Sequence, residues 1–263
     1  METIRSLEMS YRHYRNSQEI RVPTAAPVFE VNRVAVRAMI DRAKVEERDL
    51  LLSEAVAVLE HYGIPTAEGM PAGTAEEAQE AAERIGYPVA IKVIAEQISH
   101  KSDVGGVQLN LRNAPAVVEA FEDMLNRIHQ AYPEVKVDGV LVQPMITGGR
   151  ELILGGRQDP QFGPVVLVGL GGIFVEIFEE VAVRVAPISR RDAMEMIEEL
   201  RGAPILKGAR GHKRSDIDAV VDALLRLSQL LVEFPEIREL DVNPLRVFHE
   251  DGGCCALDAR IIL

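Results

Sequence analysis

The stretch AEQISHKSDVGGVQLNL at residues 95–111 brings together side chains that can handle phosphate. His100 and Lys101 are adjacent, Asp103 follows two residues later, and two glycines at 105–106 lead into an alternating strand pattern. Consecutive backbone N–H groups around glycines can bind an anion, and Lys101 would add positive charge. A histidine beside such donors could carry a phosphoryl group as a nucleophile. The stretch alone also fits an ordinary surface histidine.

A second cationic candidate precedes this loop. Lys92 lies in PVAIKVI, a predicted strand whose other residues are apolar. Burying an ammonium group without a partner is costly, so Lys92 must either extend to the edge of the strand or meet an anion. The nearby His100 loop favours the anion, although the phosphate-loop pattern G-x-x-x-x-G-K-[ST] occurs nowhere in the chain.

The stretch VLVQPMITGGRELILGG predicts a strand, a short break and a second strand. Such a break could place the backbone of Gln143, Pro144 and Met145 beside the edge of an adenine. Glu151 could then accept hydrogen bonds from ribose or amino donors. An ordinary strand with a bend is the alternative.

The glycine-rich stretch VVLVGLGGIFVE does not fit a dinucleotide-binding fingerprint, because Phe174 occupies the position of its third glycine. Glu176 and Arg184 follow shortly afterwards. They are chemically suited to a metal-bound phosphate chain, and a surface ion pair is the alternative.

Two predicted C-terminal strands carry oxygen ligands. In ELDVNPLRVF, Asp241 and Asn243 share one face by the two-residue strand period. If EDGG is a four-residue turn, Asp258 lies opposite Leu245 and diagonal to Asn243 on that face. Carboxylate and amide oxygens are ligands for Mg²⁺, and nucleotide phosphates could complete its shell. A slip of one residue would move Asp258 to the other face.

The elements that must position these residues alternate between helices and strands, with hairpins in the second half. One hairpin turns at Asp159–Pro160, and a long helix over Ile217–Phe234 stops at Pro235. This order predicts an α+β fold with helices covering mixed sheets rather than a doubly wound parallel sheet. We expect a tail and linker helix over 1–48, a first subdomain over 49–135 and a second over 136–263.

Composition narrows the function classes. The formal net charge of -12 opposes binding to nucleic acid or anionic membranes. No uncharged apolar run approaches the roughly 18 residues of a membrane span. Cys254 and Cys255 are adjacent in a predicted strand, so they cannot easily pair with each other, which favours a reducing cytoplasm.

The motifs resemble a known family when they are taken together and in order. PVAIKV, ISHKSDVGGV, LVQPMI with GRELILGG, GLGGIFVE, VAVRVAPI, LKGARG, ELDVNPL and ALDARI resemble the ATP-grasp domain of the NDP-forming acyl-CoA synthetases. These include the beta subunits of ADP-forming acetyl-CoA synthetases, with succinyl-CoA synthetase beta as a more distant relative. The resemblance covers about residues 49–263 and implies an ATP-grasp fold of two α+β lobes that bind ATP or ADP.

The resemblance also implies roles for the nucleotide-binding candidates. Lys92 would contact the nucleotide phosphates, the segment 143–145 the adenine, and Glu151 the ribose or base side. Lys101 and Arg184 would help to neutralise the phosphate charge.

For the chemistry, the resemblance implies that Asn243 and Asp258 bind Mg²⁺, with Asp241 as an additional candidate. His100 would pass a phosphoryl group between a partner subunit and the nucleotide. The reaction would be acyl-CoA + ADP + phosphate to acid + CoA + ATP, and transfer through phosphohistidine can be nearly thermoneutral.

This chain lacks the CoA-binding and ligase domains of the family. We therefore expect it to act with a CoA-binding alpha subunit in a hetero-oligomer, or as part of a fused chain, and to reach CoA and the acyl substrate through that partner. Two alternatives stay open, namely an ATP-grasp carboxylate ligase without phosphohistidine and a nucleotide-sensing module without catalysis.

Overall fold

The computed structural model describes residues 25–95, 98, 104–171, 181–211 and 213–263. The predicted phosphate-binding residues His100, Lys101 and Asp103 lie outside the described residues, as does Glu176. None of the described helices is long and apolar enough to cross a membrane.

The helices begin where the sequence supplies polar caps. Side chains of Asn32, Thr74, Asn113, Ser189 and Asp216 each accept a hydrogen bond from the backbone N–H three residues later. The described helices are α1 (Arg33–Val45), α2 (Leu52–His61), α3 (Ala75–Ile85), α4 (Ala114–Ala131), α5 (Arg190–Glu199), α6 (Ala203–Leu206) and α7 (Ile217–Glu233).

The strands form two sheets in which every described pairing is antiparallel. The described strands are β1 (Met70–Ala72), β2 (Val89–Ile94), β3 (Val107–Leu111), β4 (Gly139–Pro144), β5 (Arg150–Asp159), β6 (Gly163–Leu170), β7 (Val181–Val185), β8 (Glu239–Val247), β9 (Cys254–Ala256) and β10 (Ala259–Ile262). This arrangement confirms the predicted α+β class.

The smaller sheet has the order β1-β4-β2-β3. Helices α3 and α4 contribute apolar side chains, among them Ala78, Phe121 and Met124, to the core beneath it. All six residues of β2 are buried, including Lys92. The strand therefore holds an ammonium group inside an otherwise apolar layer.

The larger sheet has the order β10-β8-β5-β6-β7, and β9 pairs with β8 beside β10. One face of β5 packs under α7 through Leu152 and Leu154, which are fully buried. Gly156 permits the close approach of this helix, because a Cβ there would lie 2.2 Å from Leu231 Cδ1 and 2.6 Å from the Val165 carbonyl oxygen. The other face of β5 is left for the cavity described below.

The N-terminal helices belong to the core of the larger sheet. Val36 and Ile40 of α1 are fully buried in that core. Arg33 donates two hydrogen bonds of 2.7 Å to the carboxylate of Glu233 on α7. The Tyr62 hydroxyl donates to the same carboxylate at 2.5 Å. The predicted linker helix is thus fixed to the fold by both apolar and charged contacts.

The sheets divide the chain at a different place from the predicted boundary at residue 135. Strand β4 pairs with both β1 and β2, so the smaller sheet extends to Pro144. Helix α2, expected in the first subdomain, packs instead in the core of the larger sheet. Local patterns identified these elements, but they carry no information about which sheet each element joins.

Candidate functional site

A cavity of about 480 Å³ lies between the two sheets where β4 leads into β5. This volume falls within the usual range for small-molecule sites, roughly 300–1,000 Å³. Strands β2 and β3 of the smaller sheet contribute Ala90, Lys92 and Val107. The larger sheet contributes Ile153 from β5, Asn243 from β8, and Asp258 from the connection between β9 and β10. The cavity therefore combines aliphatic walls with groups of both charges.

Lys92 brings a buried cation to this cavity from the centre of the smaller sheet. Its side chain is 7% exposed, and its ammonium donates a hydrogen bond to the backbone carbonyl of Leu257, which also lines the cavity. Burial raises the pKa of the nearby Cys255 thiol, while the positive charge of Lys92 opposes that rise. Lys92 thus links the smaller sheet to the C-terminal strands and places positive charge between them.

The predicted adenine-binding residues Gln143, Pro144 and Met145 all line the cavity. Gln143 is 2% exposed, and its Nε2 donates to the Ala67 carbonyl at 2.7 Å. The backbone N–H of Met145 donates to the Pro88 carbonyl at 3.0 Å, so that donor is already used within the protein. Ile146, the next residue, also lines the cavity.

Glu151 lies on the cavity face of β5, because its neighbour Leu152 is buried under the helices. Its carboxylate accepts a hydrogen bond of 2.7 Å from Arg246 Nη2 on β8. The two residues are direct partners in the antiparallel ladder. The predicted acceptor is therefore at the cavity, but it is paired with an arginine that the sequence analysis did not identify.

Asn243 and Asp258 meet at the far wall, although the predicted register was wrong. Asp258 lies opposite Asn243 rather than Leu245, and the Asn243 N–H donates to the Asp258 carbonyl at 3.2 Å. The reason is the turn: Val247 pairs with Cys254, so the connection spans six residues, 248–253, instead of four. A shift of two residues keeps Asp258 on the expected face.

This pair fits a magnesium ion bound together with phosphate. An amide oxygen on β8 and a carboxylate between β9 and β10 are hard oxygen ligands. Mg²⁺ commonly takes one or two protein carboxylates and completes its shell with phosphates and water. Among the described residues no group of three His, Cys, Asp or Glu side chains could hold a metal. Asp241, which pairs with Arg260, is not among the cavity-lining residues.

The structure does not bring Arg184 to the cavity. Its partner on β6 is Val166, which is fully buried in the core under the helices, so Arg184 lies on the helix-covered face. There its guanidinium bonds the Glu199 carboxylate of α5 at 2.5 and 3.1 Å, and this pairing raises its pKa. Arg184 thus forms an ion pair with Glu199, whereas Glu176, the other predicted phosphate-site residue of this stretch, lies outside the described residues.

Several residues that line the cavity were not predicted from the sequence, and three of them supply polar groups there: Ala67, Leu257 and Arg246. Ala67 and Leu257 act through backbone carbonyls, which no residue type reveals. Arg246 had a detectable signal, since it follows the NPL motif on a strand already predicted to face the site.

Comparison with known proteins identifies the family. A family model described as an ATP-grasp domain matches residues 41–263. The chain belongs to the ATP-grasp family. Its two antiparallel sheets with the cavity between them are accordingly an ATP-grasp fold, as the motif order predicted.

Curated relatives of this ATP-grasp chain are ADP-forming ligases. It is 45% identical over 234 residues to subunit beta of acetate–CoA ligase [ADP-forming] I of Pyrococcus furiosus, covering 89% of this chain and 100% of that subunit. It is 40% identical over 263 residues to acetate–CoA ligase [ADP-forming] I of Archaeoglobus fulgidus, covering 100% of this chain but 38% of that protein. The ATP-grasp chain thus matches a whole subunit in one relative and about two fifths of a longer chain in the other.

Solved structures of one enzyme share the fold. Dinucleotide-forming acetyl-coenzyme A synthetase 1 of Ca. Korarchaeum cryptofilum, in complex with coenzyme A and Ca-AMPCP, superposes with a TM-score of 0.83 at 42% identity, over 86% of this chain and 99% of that chain. The same enzyme with coenzyme A and Mg-AMPPCP gives 0.75 at 41% identity, over 87% and 99%. In that second structure a phosphohistidine segment points towards the nucleotide binding site.

Proposed function

We propose that this chain is the nucleotide-binding and phosphoryl-transfer module of an ADP-forming acyl-CoA ligase. The observation that carries the proposal is the cavity between the sheets, which has Lys92 on one side and Asn243 with Asp258 on the other. A cation facing two oxygen ligands suits a diphosphate with Mg²⁺. The relatives named above, which are ADP-forming acetate–CoA ligases, support this assignment.

The chain's own residues would bind and orient the nucleotide. Lys92 neutralises phosphate charge from inside the sheet, where few solvent dipoles compete with it. The segment 143–146 lies beside the base, and Glu151 accepts hydrogen bonds from the ribose. Phosphoryl transfer depends mainly on such positioning and charge neutralisation, so this arrangement supplies most of what the step requires.

Asn243 and Asp258 would hold Mg²⁺ at the phosphates. The ion supplies charge neutralisation of the transferred group when it is bound. The choice of Mg²⁺ rests on the oxygen ligands that this pair offers. The structure of a related enzyme with Mg-AMPPCP supports it. Asp241 has no place in the proposed set, because it does not line the cavity.

His100 is the proposed phosphoryl carrier. The support is the motif ISHKSDVGGV, which resembles that of the acyl-CoA synthetases, and its position directly after β2, the strand that carries Lys92. In the proposed step with ATP, an imidazole nitrogen of His100 forms a bond to the γ-phosphorus as the bond from that phosphorus to the bridging oxygen breaks, and ADP leaves with that oxygen. The reverse transfer passes the group to ADP and restores the free histidine.

The remaining chemistry requires a partner. The match to a complete beta subunit and to part of a longer ligase supports a second subunit or fused domains that bind CoA and the acyl substrate. We therefore propose a hetero-oligomer, or a fused equivalent, that works in the cytoplasm. The partner would supply the acid and CoA sites.

Two measurements test the proposal. First, calorimetry of the chain with ADP and Mg²⁺ should show one binding site. Second, incubation with γ-labelled ATP and Mg²⁺ should leave an acid-labile, base-stable label that His100→Ala abolishes. His129→Ala, which changes an exposed histidine on α4, is the matched control and should keep the label. Absence of ADP binding would overturn the assignment. A label that survives in His100→Ala would place the phosphoryl group on another histidine and overturn the role of His100, and the absence of any such label in the unmodified chain would favour a ligase without phosphohistidine.

A further inference from the structure

Arg246 lines the cavity and contacts both Glu151 and the turn before β5. It lies directly across from Glu151 in the β5–β8 ladder. Its Nη2 donates to Glu151 Oε1 at 2.7 Å, and its Nη1 donates to the Gly148 carbonyl at 3.2 Å. The side chains of Arg246 and Glu151 are 21% and 35% exposed, and both line the cavity. One guanidinium therefore joins a cavity carboxylate to the segment that leads into β5.

The connection between β4 and β5 is shaped to reach this guanidinium. Gly148 and Gly149 have φ values of 78° and 70°, a backbone conformation that side chains disfavour. A Cβ on Gly149 would lie 2.5 Å from the Val247 carbonyl oxygen and 3.3 Å from Arg246 Cδ. The turn is thus packed against β8 at Arg246, and the close approach at position 149 requires glycine.

The chemistry of the pair suits a ribose rather than a phosphate. An isolated Glu151 carboxylate would repel the nucleotide's diphosphate, and Arg246 removes that net charge. The guanidinium is a planar fork with donors in fixed directions, so it holds the carboxylate in one orientation. The paired carboxylate keeps its remaining lone pairs as acceptors for hydroxyl groups.

The position of the Arg246 guanidinium also carries a cost. The Nε of Arg246 is buried and makes no hydrogen bond to any described residue. Leaving a buried donor unsatisfied costs free energy. The bonds of Nη1 and Nη2 to the Gly148 carbonyl and Glu151 therefore hold the guanidinium in place at some cost in stability.

We propose that Arg246 is a positioning residue: it holds Glu151 and the turn at 148–149 so that the carboxylate accepts hydrogen bonds from the ribose hydroxyls of the bound nucleotide. This inference rests on the proposed nucleotide-binding function and extends it to a residue that touches no reacting atom.

A thermodynamic cycle between protein and ligand tests it. ADP and 2′,3′-dideoxy-ADP are each titrated, with Mg²⁺, into the unmodified chain, Arg246→Met and Arg246→Lys. The unmodified chain should bind the dideoxy ligand about tenfold more weakly, which is the scale of hydrogen bonds to a charged group. Arg246→Met leaves the Glu151 charge unpaired, which should weaken both ligands alike, and it should weaken ADP by a further factor of about ten through the lost ribose hydrogen bonds, so that the difference disappears. Arg246→Lys, which keeps the charge, should restore part of it.

The matched control is Arg157→Met, on the same pair of strands. Arg157 lies opposite Glu239 on β8, is 66% exposed and is not among the cavity-lining residues. Both ligands should bind this variant as they bind the unmodified chain. Thermal unfolding of each variant without ligand reports whether the fold is kept.

Two results would overturn the inference. In both of them Arg246→Met keeps the full dideoxy penalty. Equal weakening of both ligands would show a general effect of charge or structure, and no weakening of either ligand would show that Glu151 does not depend on Arg246. Failure of the unmodified chain to bind ADP at all would instead overturn the proposed function, so the two ideas fail in different ways.

Discussion

Replacing Lys92 with methionine separates the contribution of the buried ammonium to binding from its contribution to folding. Methionine has a similar length and no charge, so it fits an apolar strand whose residues are all buried. The substitution removes the cation from the cavity and leaves the Leu257 carbonyl without that donor. The loss of the cation should appear in nucleotide binding, and the loss of the donor should appear in the stability of the free protein.

The expected loss in binding follows from the burial of Lys92, which is 7% exposed. A charge pair about 4 Å apart at an effective dielectric constant near 20 is worth about 4 kcal/mol. Before the nucleotide binds, however, the ammonium is already hydrogen-bonded to Leu257, so only part of this appears as affinity. The scale of hydrogen bonds to charged groups, about 1.5–3 kcal/mol, is the better guide. A loss of about 2 kcal/mol corresponds to roughly 30-fold weaker ADP binding.

The stability of the free protein should change less than its affinity for ADP, because two effects of the substitution oppose each other. Removing a buried charge relieves a desolvation cost, while the Leu257 carbonyl loses a donor, which costs about 1–3 kcal/mol. We therefore expect Lys92→Met to fold with a similar melting temperature even though it binds ADP poorly.

Calorimetry with ADP and with adenosine is the decisive assay. Lys92→Met should weaken ADP by roughly 30-fold, that is by about 2 kcal/mol, and leave adenosine nearly unchanged. Lys136→Met changes an 86% exposed lysine that is paired with Asp138, and it should affect neither ligand. Equal weakening of ADP and adenosine would refute the reasoning, since it would mean that Lys92 shapes the cavity and does not meet phosphate.

Three further predictions concern the metal pair and two buried groups. Asp258→Asn should raise the Mg²⁺ concentration needed for half-maximal ADP binding by roughly tenfold or more, because substitutions of residues that merely support metal ligands already cost that much affinity. An unchanged Mg²⁺ titration would argue against Asn243 and Asp258 as the metal pair. Although burial opposes ionisation of Glu54, hydrogen bonds from Arg48, the Leu51 N–H and Arg42 lower its pKa. Glu54→Gln should therefore reduce the free energy of unfolding in urea by about 2 kcal/mol at neutral pH, and the difference should vanish as the pH falls through the pKa of the folded state. Burial raises the pKa of the Cys254 thiol from 9.0 to about 12. The chain should lose stability above pH 9 by at most about 1.4 kcal/mol per pH unit, and Cys254→Ala should show a shallower decline in the same urea series.

Much of the fold was predictable because its signals are local. Ser189 and Asp192 form a capping box at the start of α5, a pattern of residue types that lies within four consecutive positions. The hairpin turns at Asp159, whose side chain accepts from the Gln161 and Phe162 N–H groups. Asp and Pro in such positions favour turns through their own backbone and side-chain geometry. The α+β class and the ATP-grasp family followed from the order of these elements and motifs, and both are confirmed.

The candidate site was predictable only where a motif fixed both the residue and its face. Lys92, Glu151 and the Asn243–Asp258 pair reach the cavity as expected, and their roles stay predictions. Arg184 does not reach the cavity. The face on which it lies depends on how β7 pairs with β6, and this pairing cannot be read from the residues of β7 alone. Pairing between strands is a long-range property, so a residue type suited to phosphate can lie on the wrong side of a sheet.

The far wall of the cavity arises from one irregularity in β8. Against β5, Leu152 pairs with Leu245 but Leu154 pairs with Val242, so β8 contains one extra residue there. The extra residue falls at Asn243–Pro244, and proline, which lacks an N–H donor, is tolerated at such bulges.

The bulge changes which residues of β8 face the helices. Leu240 and Val242 are buried before it, and Leu245 and Val247 after it, so the alternation changes phase between them. A strict two-residue period would have placed Leu245 on the same face as Asn243. With the bulge, Leu245 anchors the core while Asn243 and Pro244 remain at the cavity, and Arg246 also faces it. The same irregularity therefore places both the proposed magnesium pair and the arginine that holds Glu151. Removing one residue from this bulge should disturb metal and ribose binding together, a coupling that separate side-chain substitutions cannot produce.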